Sequence, residues 1–276
     1  MKEWKLGINI GGGLAATEKE MIRYAAAAGF DACFTNWKPD FDAEGLAEEI
    51  AKSGLIYQSI HGPFRSVEKL WDEGDEGDAY IDVLLQCLRD CKASDVPIMI
   101  VHPIKGMDRH TPSEPGLVRF ARLVEEAERL GVKLAFENVE GIEYLHAVME
   151  RFGDSSAVGF CWDTGHEMCY NFSEDVMARY GNKLIATHFN DNLGMTDPKE
   201  VTWLDDAHLF PFDGIADWQG IMDRIARDGY DGILTFELTS KSKPGKNTHD
   251  QYAAWTPEEY FRQAYERARR VAALSK

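Results

Sequence analysis

The sequence predicts a single-domain α/β fold, a (β/α)8 or TIM barrel running over residues 1–276. Three observations carry this. Short apolar, β-rich segments alternate with longer helical patterns from end to end, eight such pairs can be counted, and no Gly-, Ser- and Pro-rich linker, charge run or repeat divides the chain. Doubly wound sheets usually hold about five or six strands, so eight uninterrupted units over roughly 250 residues favour the closed barrel.

The strands read as Lys5–Ile10, Asp31–Asn36, Leu55–His61, Ile98–His102, Leu134–Asn138, Val158–Asp163, Ile185–Asn190 and Gly232–Leu238. Their centres are continuous apolar runs (IMIV, LAF, ILTF), as parallel strands covered on both faces require. Between them, apolar residues recur at three- and four-residue spacing, the helical period. Thr17 with Glu20 forms a capping-box pattern at the first helix, and Gly29 closes it. Gly54, Gly131 and Gly229 stand where later helices must end, and Thr256-Pro257 opens the last one, Pro257–Leu274. The long connections Gly62–Asp78 and Asn190–Asp217 follow the third and seventh strands, on the face where barrels carry their active sites. Asp72–Asp78, with five acids among seven residues, reads as a solvent-facing turn.

Composition narrows the function. A net charge of −17 repels a polyanion, so nucleic acid is not expected as a partner. Cys33, Cys87, Cys91, Cys161 and Cys169 are odd in number and lack a CxxC pair, which reads as buried thiols in a reducing compartment. The start runs straight into a strand, and no apolar run could span a bilayer, so a soluble, cytoplasmic protein without a membrane partner is expected.

The chemistry lies at the strand ends. The third to eighth strands end in His61, His102, Glu137, Asp163 (with His166 three residues on), His188 and Glu237. A lone strand-end histidine is as often a satisfied rim residue, but buried ionisable groups cost several kcal/mol unless paired or bound to a metal, so six in one ring mark a site. Glu137, Asp163, His188 and Glu237 occupy four successive strands, and three carboxylates with one imidazole suit a divalent cation such as Mn, Co, Zn or Mg.

The motifs HGPF (61–64), VHP (101–103), FEN (136–138), DTGH (163–166), HFND (188–191), DAHLFPFDGIADW (206–218) and FEL (236–238) follow one another in order. Together they resemble the sugar phosphate isomerase/epimerase family of the xylose isomerase-like barrel superfamily, over essentially the whole chain. The resemblance implies a metal-dependent enzyme that moves protons on a small carbohydrate through an enediolate. One divalent ion would be held by Glu137, Asp163, His188 and Glu237. Glu137 and Glu237 would double as the acid/base pair on opposite faces of the substrate, and His166 would contact a substrate oxygen. Barrels of this family are often dimers or tetramers, so a homo-oligomer is compatible with it.

Inosose and dehydroshikimate dehydratases share the barrel and these ligands. So does endonuclease IV, a trinuclear zinc enzyme whose ligand positions match His61, His102, Glu137, Asp163, His166, His188, Asp206, His208 and Glu237 here. The chain departs from the pattern in HLFPFDG, where a Pro- and Gly-rich stretch is common. It also lacks an Arg shortly after His188, which epimerases tend to carry.

His61, His102, His166 and His208 are thus candidates for substrate contact, with Phe64 and Trp203 as shields against water. Trp37 and Phe212 are further candidate shields, whereas Trp162, preceding Asp163, should point into the helix layer. Barrels often bind phosphate near strands seven and eight. Lys241, with Lys243 and Lys246 nearby, is the candidate for an acidic substituent, although a solvated loop is the blander reading. Lys105 and Arg109, after the fourth strand, are a second candidate for that acidic substituent.

Overall fold

The computed structural model describes residues 2–40, 42–107 and 111–275, so Arg109 lies outside the described residues. The parallel strands β1 (Leu6–Ile10), β2 (Ala32–Asn36), β3 (Ile56–His61), β4 (Ile98–Val101), β5 (Lys133–Glu137), β6 (Val158–Asp163), β7 (Leu184–His188) and β8 (Leu234–Phe236) lie in the order β7-β6-β5-β4-β3-β2-β1-β8. Around them stand α1 (Glu18–Ala28), α2 (Ala43–Lys52), α3 (Asp75–Ala93), α4 (Glu114–Leu130), α5 (Ile142–Phe152), α6 (Thr164–Cys169), α7 (Val176–Tyr180), α8 (Trp218–Arg227) and α9 (Pro257–Ala272). Among the described residues no helix is long and apolar enough to cross a membrane.

The barrel closes between β7 and β8 in an unusual way. The Thr235 N–H donates to Thr187 Oγ1 at 2.8 Å, a side chain standing where a backbone carbonyl would be. Regular pairing resumes above it, with Phe189 N–H donating to the Thr235 carbonyl and Glu237 N–H to the Phe189 carbonyl. This seam shortens β8 to Leu234–Phe236, against the expected Gly232–Leu238, and still delivers Glu237 to the mouth.

Pleat parity builds the site. Residues two apart along a strand share a face. A small-residue layer of Ile100, Ala135, Cys161 and Ala186 fills the barrel interior. Two residues further on stand His102, Glu137, Asp163 and His188, so the polar ring rests on an apolar plug. The opposite face of the strands packs the large side chains, Phe136, Phe160 and Trp162 among them, against the helices.

The capping box at Thr17 and the left-handed glycine caps at Gly29 and Gly131 are present as expected. The acidic stretch Asp72–Asp78 is not a solvent-facing turn throughout. Asp75, Glu76 and Asp78 form the first turn of α3, where the positive end of the helix dipole favours them. Asp78 accepts from Nε of buried Arg119 at 2.9 Å, and a Cβ at Gly77 would lie 2.3 Å from that guanidinium, so only glycine fits. All five cysteines are buried and unpaired.

Candidate metal centre and cavity

At the C-terminal mouth, Glu137, Asp163, His188 and Glu237 each bring a donor atom within 4.8 Å of the others. His188 Nδ1 lies 3.1 Å from both Glu137 Oε1 and Glu237 Oε2. One imidazole N–H cannot satisfy two carboxylates at once, whereas a cation between them can. Glu137 Oε2 is 3.2 Å from His102 Nε2 and 3.4 Å from His61 Nε2, yet it makes no aligned hydrogen bond, and His188 Nε2 is buried without a partner. Orphaned buried donors and acceptors of this kind fit a hard or borderline divalent ion.

Neighbours hold the ring. Asp163 caps α6 by accepting from His166 N–H at 2.7 Å, and Asn190 Nδ2 donates to both its oxygens. Asn138 pins the Asp163 backbone through both its N–H and C=O. Phe34 stacks on His188 with ring centroids 4.6 Å apart. His208 sits at φ +50°, an uncommon conformation for a non-glycine residue. There it reaches Asp206 at 2.9 Å and lies 3.8 Å from Glu237.

Electrostatics follow from this packing. Burial pushes the carboxyls up, but imidazoles outweigh it: His188 and His102 hold Glu137 well below the usual range, and His188 with His208 draws Glu237 down to about 2. Asp163 goes the other way, raised by burial beyond what His166 and His208 offset. Burial opposes charge on His188, yet Cys161, Glu137 and Glu237 hold its pKa well above the ordinary value. His208 rises to about 9, as Asp206 outweighs burial. For His102 burial wins, and its pKa falls.

Above the ring opens a cavity of about 380 Å³, small but within the range of ligand pockets. His61, Phe64, His102, His166, Trp203 and His208 line it, as does Glu237. Glu137, Asp163 and His188 lie beneath, outside its lining. Trp203, 51% exposed, forms part of the rim. Lys241 does not reach the cavity. Its stem packs beside Gly13, and Lys243 lines the wall instead, paired with Asp206 at 3.1 Å. Lys246 pairs with Asp205. Trp37 donates to Asp90, and Phe212 lies against Trp218 and Arg270, so neither shields the cavity. Trp162 points into the helix layer, donating to Glu167 under Arg224.

Sequence reasoning passed over Tyr170 and Glu140, which also line the cavity. Tyr170 stands one helical turn after His166, and that spacing was the available signal.

The chain belongs to the xylose isomerase-like TIM barrel family, whose model matches residues 22–273. It is 36% identical over 119 residues to the uncharacterized protein y4fM of Sinorhizobium fredii, a stretch covering 42% of this chain. The chain spans only about a third, 35%, of that relative's length. Among solved structures it is similar to the IolI protein with a bound zinc atom, at a TM-score of 0.76 and 16% identity over 98% of both chains. It is likewise similar to L-ribulose 3-epimerase, at a TM-score of 0.70 and 20% identity over 99% of this chain and 98% of that one.

Proposed function

We propose that the protein is a metal-dependent sugar isomerase or epimerase that exchanges a proton on the carbon beside a carbonyl. The carrying observation is the pairing of a four-residue cation site with a histidine-lined cavity that meets it at Glu237. The family, and the likeness in fold to L-ribulose 3-epimerase, support the substrate class.

Glu137, Asp163, His188 and Glu237 would hold the ion. When bound, it supplies Lewis-acid stabilisation of negative charge developing on the substrate oxygens. Glu237, the member of the cation site that lines the cavity, takes the proton at its carboxylate, which its low pKa keeps ionised. Glu137, on the floor beneath the imidazoles, is the second acid/base group. His166 and Tyr170 offer polar hydrogens to substrate hydroxyls. Phe64 and Trp203 narrow the opening and limit water.

One observation favours a second reading, metal-assisted phosphodiester hydrolysis. His61, His102 and Glu137, and separately Asp163, His166 and His208, also cluster at ligand distances. The charge of −17 weighs against a polyanionic substrate.

The test is a screen of the metal-loaded protein in D2O against ketoses, aldoses, inososes and their phosphates, followed by proton NMR and mass spectrometry. Deuterium entering beside the carbonyl with mass otherwise conserved supports the proposal. Loss of water reassigns the protein to a dehydratase. Absence of exchange, with about three ions per chain, reassigns it to the phosphodiesterase class.

A further inference from the structure

The small-residue layer beneath the strand-end ring contains a sulfur. Ile100, Ala135, Cys161 and Ala186 make up that layer, and of these only Cys161 has a side chain able to bind a metal. Of the five buried cysteines, it is the one whose sulfur joins a cluster of metal-ligating side chains among the described residues. Strand register brings it there. Parallel pairing sets Cys161 level with Glu137 on β5, while Asp163 stands level with His188 on β7. Adjacent strands lie about 4.8 Å apart, so the inward side chains of a matched pair stand side by side.

As a result Cys161 Sγ, a Glu137 carboxylate oxygen and a His188 ring nitrogen all lie within 4.8 Å of one another. That is close to the span of an ion whose bonds run about 2.0–2.3 Å. Exposures of 0%, 0% and 1% for Glu137, Cys161 and His188 keep bulk water from serving these atoms. Two of the residues also carry an atom that the four-residue ring leaves over. Nδ1 of His188 stands 3.1 Å from Glu137 and from Glu237, whereas His188 Nε2 and Glu137 Oε2 are buried without a hydrogen-bond partner.

We propose that Glu137, Cys161 and His188 form a second, deeper metal seat, selective for thiophilic divalent ions of the Zn2+, Co2+ and Cd2+ type. Its donors are one oxygen, one nitrogen and one sulfur, where the ring above offers only oxygen and nitrogen. Sulfur favours the softer ions, and carboxylates suit Mg2+ and Mn2+. On binding, the thiol proton leaves to solvent and a metal–sulfur bond takes the place of S–H. Glu137 and His188 belong to both seats, so an ion in one draws ligands from the other. An ion held by Cys161 gives up Glu237, the member of the ring that lines the cavity. Cys161 thus sorts ions between a seat that meets the cavity and one sealed beneath it. The inference is independent of which reaction the cavity carries out.

The test titrates the EDTA-stripped full chain with Co2+ and follows the sulfur-to-cobalt charge-transfer band in the near ultraviolet. Affinities for Cd2+ and Mn2+ are measured alongside by calorimetry. The wild type is compared with Cys161→Ser and Cys161→Ala, each checked for an unchanged melting temperature. The band should rise with the first Co2+ bound and be missing from both variants. The ratio of Cd2+ to Mn2+ affinity should fall on the order of tenfold to a hundredfold, since losing even a residue that only supports a ligand changes metal affinity by that much. Cobalt bound without the band overturns the proposal, as does a band that survives both substitutions. An equal loss of Cd2+ and Mn2+ affinity also overturns it, because Cys161 would then only pack the barrel. Mn2+ bound by a chain that shows no cobalt–sulfur band leaves the four-residue cation site standing while this inference falls.

Discussion

Loading the metal should expel a proton, and the count identifies which imidazoles become ligands. In the metal-free chain His188 is protonated near neutrality, since Cys161, Glu137 and Glu237 overcome the effect of its burial. A ligating imidazole must be neutral, so the ion has to displace that proton. The sign follows: the proton is bound below the raised pKa, and the apparent affinity for metal therefore climbs with pH until that pKa is passed. One displaced proton makes binding about tenfold tighter per pH unit below that pKa, or about 1.4 kcal/mol. If His166 and His208 also receive ions, the slope steepens towards three protons, because both are raised as well, His208 to about 9. The assay is calorimetric titration of the EDTA-stripped chain with Mn2+ in two buffers of different ionisation enthalpy. The difference in apparent enthalpy counts protons released per ion. One proton supports the Glu137, Asp163, His188 and Glu237 set. A count of zero with pH-independent affinity would refute the reasoning, since His188 would then be neutral beforehand or would not bind the metal.

Further outcomes follow from the same geometry. Glu237→Gln should lower kcat by roughly a hundredfold to ten-thousandfold in the exchange assay, and full activity would remove Glu237 from the proton-transfer role. Tyr170→Phe deletes one hydroxyl from the cavity wall and should cost about 1 kcal/mol of substrate binding, read as a rise in KM of about fivefold. Asp191 accepts from the Asn192, Phe212 and Ala216 N–H groups and from Trp218 Nε1, so Asp191→Ala leaves several buried donors unsatisfied. The expected loss is about 4 kcal/mol, a fall in melting temperature of at least 8 °C by differential scanning calorimetry. The metal-free protein should also lose stability in alkali. The share contributed by protonated His208 is complete below the unfolded imidazole pKa of about 6.5. That share is lost as pH rises through about 9, which melting curves between pH 6 and 10 would display.

The half of the site that sits on strands was legible in the sequence, and pleat parity is the reason. Once Ala135, Cys161 and Ala186 are read as interior, Glu137, Asp163 and His188 must share their face, and no loop conformation enters the deduction. Phe34 obeys the same parity but carries no chemical signal, so its stacking on His188 emerged only in three dimensions. The far half of the cavity depends on loops that have no period to read. Lys241 and Lys243 are indistinguishable in Ser-Lys-Ser-Lys-Pro. The choice between them is made by Ser242, whose hydroxyl accepts from the His249 N–H, and by Asp206, which draws Lys243 inward. Glu140 and Lys105 share a wall because the Gly106 N–H donates to the Glu140 carboxylate, tying the loops after β4 and β5. The two halves therefore answer to different physics. The ring at the strand ends is dictated by strand geometry that any eight-stranded barrel shares. The far wall of the cavity is dictated by a few loop hydrogen bonds, so Lys105, Glu140 and Trp203 are where substitution would cost the fold least.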